Sequence, residues 1–172
     1  YATKDNGFGG TDIELKFNDP ARVKFIQMLA DWSKDKTFVY GGREGKSTAL
    51  FNAGDCVFHI ASSASAAGIE KALGKEKVAI SMMPYSPDVA PKPQNSIIGG
   101  ATLWVLQGKP APEYKGVAKF LSYLASTPVQ AKWHQETGYV PITTAAYELT
   151  QKQGFYDRNP GFDVAIKQLN NK

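Results

Sequence analysis

Apolar positions in this chain recur with two rhythms. In "NDPARVKFIQMLADWSKD" they fall three and four apart, placing Val23, Ile26 and Ala30 beside Phe25, Leu29 and Trp32 on one broad face. Asp19 precedes a proline that can occupy the first helical position, so a helix is expected here. The same rhythm predicts helices in "KSTALFNAG", with Ser47 at its start and Gly54 past its end, and in "SSASAAGIEKALG", closed by Gly74. It returns in "PEYKGVAKFLSYLAS" with Val117, Phe120, Leu121 and Leu124 in register, then in "TPVQAKWHQETG", which stops at Gly138. "YVPITTAAYELTQKQG" passes through a short extended piece into a helix capped by Thr143 or Thr144, and "NPGFDVAIKQLNNK" begins one more.

The second rhythm belongs to short, nearly continuous apolar runs. "CVFHIA", "KVAISMM" and "SIIGGATLWVLQG" carry the β-branched and aromatic residues of buried strands. Between the last two lies "PYSPDVAPKPQN", with four prolines from Pro84 to Pro93, a density that suits neither a helix nor a central strand. This segment reads as an extended connector. Helices alternating with strands predict an α/β architecture. Three or four strands are few for about six helices to cover, so the chain reads as part of a larger fold.

One strand candidate contains an anomaly. Gly99 and Gly100 interrupt the apolar run from Ser96 to Gly108, and glycine in a strand interior gives up packing and costs backbone entropy. Either the chain bends there, or something approaches the backbone too closely for a side chain.

Composition narrows the classes. The 172 residues are 42% hydrophobic and 21% charged, as in globular proteins, and 20 Lys and Arg against 16 Asp and Glu leave a net charge of +4. The basic residues are scattered, so no nucleic-acid partner is expected. No run reaches the roughly eighteen apolar residues of a membrane span, so a membrane-embedded protein is not expected either. The lone Cys56 has no partner for an intramolecular disulfide and reads as a small apolar residue in its run.

Catalytic signatures are missing. His59 and His134 have no HExxH or CxxC spacing around them and read as structural residues, so no metal or cofactor is expected. There is no GxSxG elbow, no P-loop, and "NGFGGTD" lacks the GxGxxG spacing. Binding chemistry fits better. Ser62 and Ser63 stand where a strand gives way to a helix, a place that suits both a helix cap and hydroxyl contacts to an anion. Tyr139 follows the glycine that ends a helix. Its phenol either donates to a ligand or plugs the gap beneath the loop.

Taken together, "GDCVFHIASSASAAGI", "SMMPYSPDV", "PQNSIIGGATLWVLQGK", "GVAKFLSYLAS" and "WHQETGYVPITTAAYELTQKQGFYDRNPG" resemble the glycerol-3-phosphate branch of the periplasmic solute-binding proteins of ABC importers, the large family that includes maltose-binding protein. The resemblance covers essentially the whole chain. It implies a two-lobed α/β fold of the type II periplasmic-binding kind, of which this chain lacks the N-terminal portion. Residues 1–93 would belong to the second lobe, 94–150 to a return through the first, and 151–172 to the start of re-entry into the second. It implies a periplasmic receptor, not an enzyme, which captures a small phosphorylated polyol, sn-glycerol-3-phosphate or a glycerophosphodiester such as glycerophosphocholine, and passes it to membrane permease subunits. Residue by residue, it carries a ligand-binding role to Ser62, Gly100 and Tyr139, with Ser63 and Gly99 as neighbours. Other family contacts, from the first lobe and from an arginine near the C-terminus, have no counterpart in this chain. A sugar receptor of the same fold and a periplasmic phosphodiesterase are the alternatives.

Overall fold

The computed structural model describes residues 2–171, which fall into two units that divide between Ser47 and Thr48. In the first unit a single turn, α1 (Thr3–Asn6), has Lys4, Asp5 and Asn6 at positive φ. An isolated antiparallel bridge between Ala2 and Leu15 ties this turn down. Here the Thr3 N–H donates to the Glu14 carbonyl at 2.9 Å, and the Glu14 N–H donates to the Thr3 hydroxyl at 2.8 Å. The long helix α2 (Pro20–Lys34) follows. Its start is the one read from the sequence: the Asp19 carboxylate accepts the Arg22 N–H at 3.0 Å, and Pro20 occupies a position whose N–H would have no partner within the helix. Val23, Phe25 and Ile26 on its apolar face remain more than half exposed.

Helix α3 (Ser47–Asn52) begins at the boundary, and the second unit continues with α4 (Ala66–Leu73), α5 (Ala111–Leu124), α6 (Thr127–Thr137), α7 (Thr144–Lys152), α8 (Phe155–Arg158) and α9 (Val164–Leu169). A short 3-10 turn, Ser63–Ser65, leads into α4, and another, Lys75–Lys77, follows it. The centre of the unit is the packing of α6 on α7. Ala131 and Ala146 are both buried, and such small side chains allow helices to approach closely. Thr150 on α7 is fully buried, and its hydroxyl donates back to the Ala146 carbonyl at 2.8 Å, which removes the cost of burying it. Beneath the pair, Phe155 of α8 meets Phe162 edge to face, with ring centroids 5.4 Å apart.

The helices expected from periodicity and capping are present as α2 to α7 and α9, while α1 and α8 are not among those expected and the expected strands are absent among the described residues. "CVFHIA", "KVAISMM" and "SIIGGATLWVLQG" carry no strand. Among the described residues the single Ala2–Leu15 bridge is the only β pairing, so the sheet layer of an α/β fold is not seen in them. The reason is physical: a strand is held by its ladder and by what covers its faces, and these segments have no ladder and are covered only at single positions such as His59 against Phe51 and Ile80 against Gly161. Phe58 is 90% exposed, Ile97 92% and Trp104 87%, so their apolar side chains point at solvent rather than into a core.

Candidate functional site

Five residues carry the expected binding chemistry, and the second unit joins two of their segments. Ser62 sits in extended backbone just before the 3-10 turn and caps it, its hydroxyl oxygen accepting the Ala64 N–H at 3.3 Å. A hydroxyl that accepts one hydrogen bond still has its own proton to donate, so capping and ligand contact remain compatible. The Ser63 carbonyl faces Gly138, the left-handed residue that ends α6. A Cβ built on Gly138 would stand 2.5 Å from that oxygen, closer than any side chain can sit. Glycine is therefore required at 138 for two reasons, its φ of +81° and this approach. The hydroxyl-rich turn and the Gly138–Tyr139 corner touch through their backbones.

Tyr139 is 47% exposed, and its main chain is held from both sides. Its N–H donates to the Thr137 hydroxyl at 3.2 Å. Its carbonyl accepts from His134 Nδ1 at 2.6 Å. A carbonyl can only accept, so Nδ1 carries the proton, and Nε2 is then the acceptor of the Tyr156 hydroxyl at 3.0 Å. His134 is 1% exposed. Burial pushes its pKa below the ordinary imidazole value, opposed in part by the Tyr139 carbonyl, and this favours the neutral ring that the geometry requires. Burial, together with the nearby Tyr147 and Asp163, pushes the Tyr156 phenol well above its usual pKa, so it stays a donor.

Gly99 and Gly100 lie in the exposed segment. Apart from their chain neighbours, no atom stands within 4 Å of a Cβ built on either, so the structure leaves them outside the serine–tyrosine contact. Gly100 has φ +151°, a backbone that side chains rarely adopt. Two of the cavities in this unit have other linings. One of about 350 Å3 is lined by Glu70, Val78, Ile80, Arg158 and Gly161, the other, of about 480 Å3, by Pro141, Thr143, Tyr147, Ile166 and Leu169; none of the five candidate residues lines either.

Both histidines are structural in their surroundings. His59 Nε2 lies 3.2 Å from the Thr48 hydroxyl, and the ring stacks on Phe51 at 5.4 Å. Among the described residues no three of His, Cys, Asp and Glu converge as metal ligands, and no helix is long and apolar enough to cross a membrane. Cys56 is a half-buried thiol. What sequence reasoning missed is the link from His134 to Tyr139. No local signal in "HQETGY" marks it: helical side chains lean toward the N-terminus, away from the carbonyls that leave the helix, so this bond depends on how the chain turns after Gly138.

Residues 1–163 match the model of the bacterial extracellular solute-binding protein family. The chain belongs to that family. Within it, the chain is 54% identical over 171 residues to the sn-glycerol-3-phosphate-binding periplasmic protein UgpB of Yersinia enterocolitica, an alignment covering 99% of this chain and 39% of that protein. The proteins of the same description from Pectobacterium atrosepticum and Salmonella typhimurium are 54% and 53% identical, over 99% and 100% of this chain and 38% and 39% of their own lengths. This solute-binding chain thus spans about two fifths of the relatives it matches.

Proposed function

We propose that this solute-binding chain is part of a periplasmic receptor that captures sn-glycerol-3-phosphate and delivers it to the membrane permease of an ABC importer. The observation that carries this reading is the 53–54% identity, over essentially the whole chain, to proteins described as binding that compound. The reading includes a type II periplasmic-binding fold with α/β lobes, in which residues 1–93 and 151–172 serve one lobe and 94–150 the other. The exposed apolar segments around Phe58, Ile97 and Trp104 would be covered within those lobes.

In this reading Ser62 and Tyr139 donate hydroxyl hydrogen bonds, and the bare backbone at Gly100 brings an N–H close to a phosphate or glycerol oxygen. Ser63 and Gly99 flank them. Lobe closure excludes water, and each of these bonds strengthens as the local dielectric falls. The contact between Ser63 and Gly138 supports the pairing of the serine turn with the tyrosine corner. In this reading the protein holds its ligand without transforming it, which the relatives' description as binding proteins supports, and glycerophosphodiesters are expected as co-ligands.

Calorimetric titration of sn-glycerol-3-phosphate into the full-length protein tests the proposal. Saturable one-site binding is expected, with no heat from maltose, and glycerophosphocholine should bind without release of choline. Binding of maltose alone would favour a sugar receptor. Steady choline release would favour a phosphodiesterase.

A further inference from the structure

We infer that His134, braced by Tyr156, is a positioning residue that fixes Tyr139 for ligand binding; this rests on the reading of Tyr139 as a ligand contact. Tyr139 follows the helix-ending Gly138, whose φ of +81° turns the chain out of α6. A residue just past such a cap is anchored only by what its backbone bonds to. Here the N–H is held by Thr137 from the last turn of α6, and the carbonyl by His134 from one turn further back. The 2.6 Å bond to His134 is the shorter of the two.

The imidazole is itself immobilised. Its second nitrogen accepts from Tyr156, and the ring meets Phe155 in an edge-type contact at 6.0 Å and Tyr156 in a tilted one at 5.7 Å between ring centroids. Tyr156 packs in turn on Tyr147 at 5.5 Å. The chain of contacts therefore runs from the interior of α7 and α8 through one buried ring to the backbone of a half-exposed tyrosine. It ends at a carbonyl rather than at solvent, and the phenol beyond that carbonyl stays accessible. A histidine needed only to fill the core could be replaced by an apolar residue of similar size without effect on the tyrosine; a ring that orients the tyrosine could not.

The test is a set of affinities for sn-glycerol-3-phosphate, measured by calorimetry in the full-length protein with a melting curve for each variant. Tyr139→Phe should weaken binding. His134→Leu should weaken it about tenfold, the usual consequence of losing a hydrogen bond to a buried group. His134→Asn, whose amide N–H can stand where Nδ1 stood, should recover most of that loss. In the Tyr139→Phe background, His134→Leu should add less than about twofold, because the phenol through which it acts is gone. Tyr156→Phe, which leaves the ring without its second partner, serves if His134→Leu does not fold, and should weaken binding about threefold in the native background only. If Tyr139→Phe binds as tightly as the native protein, Tyr139 is no ligand contact and the inference falls with that reading. If Tyr139→Phe weakens binding while His134→Leu and Tyr156→Phe do not, or do so equally in both backgrounds, the positioning role alone is overturned.

Discussion

The side-chain oxygen of Gln168 accepts the backbone N–H of Met83 at 2.9 Å, across 85 positions of sequence. The same carboxamide donates to the Gln94 carbonyl at 3.0 Å, and the Gln168 carbonyl accepts the Ser96 N–H at 3.4 Å. Gln168 is buried on α9 and clips together the two ends of the proline-rich segment, Pro84 to Pro93. Inside the segment the Val89 and Ala90 N–H groups donate to the Ser86 carbonyl at 3.0 Å and hold a turn, while its two ends are held by Gln168. Gln168→Leu should therefore cost about 1–3 kcal/mol, the loss of two side-chain hydrogen bonds worth about 0.5–1.5 kcal/mol each. Hydrogen exchange should show the Met83 amide losing protection, whereas an unchanged exchange rate there would show that the clip does not hold the loop.

Stability should fall with acidity through His134. Its pKa is depressed in the folded state by burial, so the unfolded chain takes up the proton first. The contribution is complete above the unfolded imidazole value of about 6.5 and is lost progressively as pH drops from there toward the lower folded value. Protonation would also put a hydrogen on Nε2, where the Tyr156 hydroxyl now donates. Urea midpoints measured from pH 7.5 to 5 should decline in the native protein more steeply than in His134→Asn. Parallel curves would assign the acid sensitivity to another group.

Gly138→Ala should destabilise the second unit strongly. The left-handed backbone alone costs a side chain about 1–2 kcal/mol, and the new methyl would overlap the Ser63 carbonyl. Thermal unfolding should show a clear drop in midpoint. A variant as stable as the native protein would mean that the two backbones separate freely.

Gly100→Val separates stability from binding. Nothing beyond its chain neighbours lies within 4 Å of a Cβ at this position, so the variant carries the strain of the φ of +151° without any overlap and should lose less stability than Gly138→Ala, which has both. Affinity for sn-glycerol-3-phosphate should be lost, since a branched side chain would stand between the backbone N–H and an oxyanion. Retained affinity would favour the bend as the reason for the glycine pair.

The helices were legible because their signals are local. Asp19 with Pro20 opens α2, Thr143 accepts the Ala146 N–H at 3.2 Å to open α7, and Gly74 and Gly138 stand at the ends of α4 and α6. The choice between Thr143 and Thr144 needed coordinates, because either hydroxyl suits a first turn. The apolar runs at Phe58 and Ile97 announced burial, but burial depends on a partner that no property of the run itself supplies. For the site, the serine turn and Tyr139 could be picked out as exposed polar groups at element ends. Their meeting through Ser63 and Gly138 could not, since 75 positions separate them and the contact involves backbone atoms alone. His134 was legible as a core residue; that its ring reaches past the cap to the Tyr139 carbonyl is a matter of three dimensions.

Where Ser63 presses on Gly138, two loops share one seat. Lengthening either by a single residue would dislodge the other, so insertions in this pair should be tolerated only when they arrive together. Substitutions on the two sides should likewise combine with effects that do not simply add.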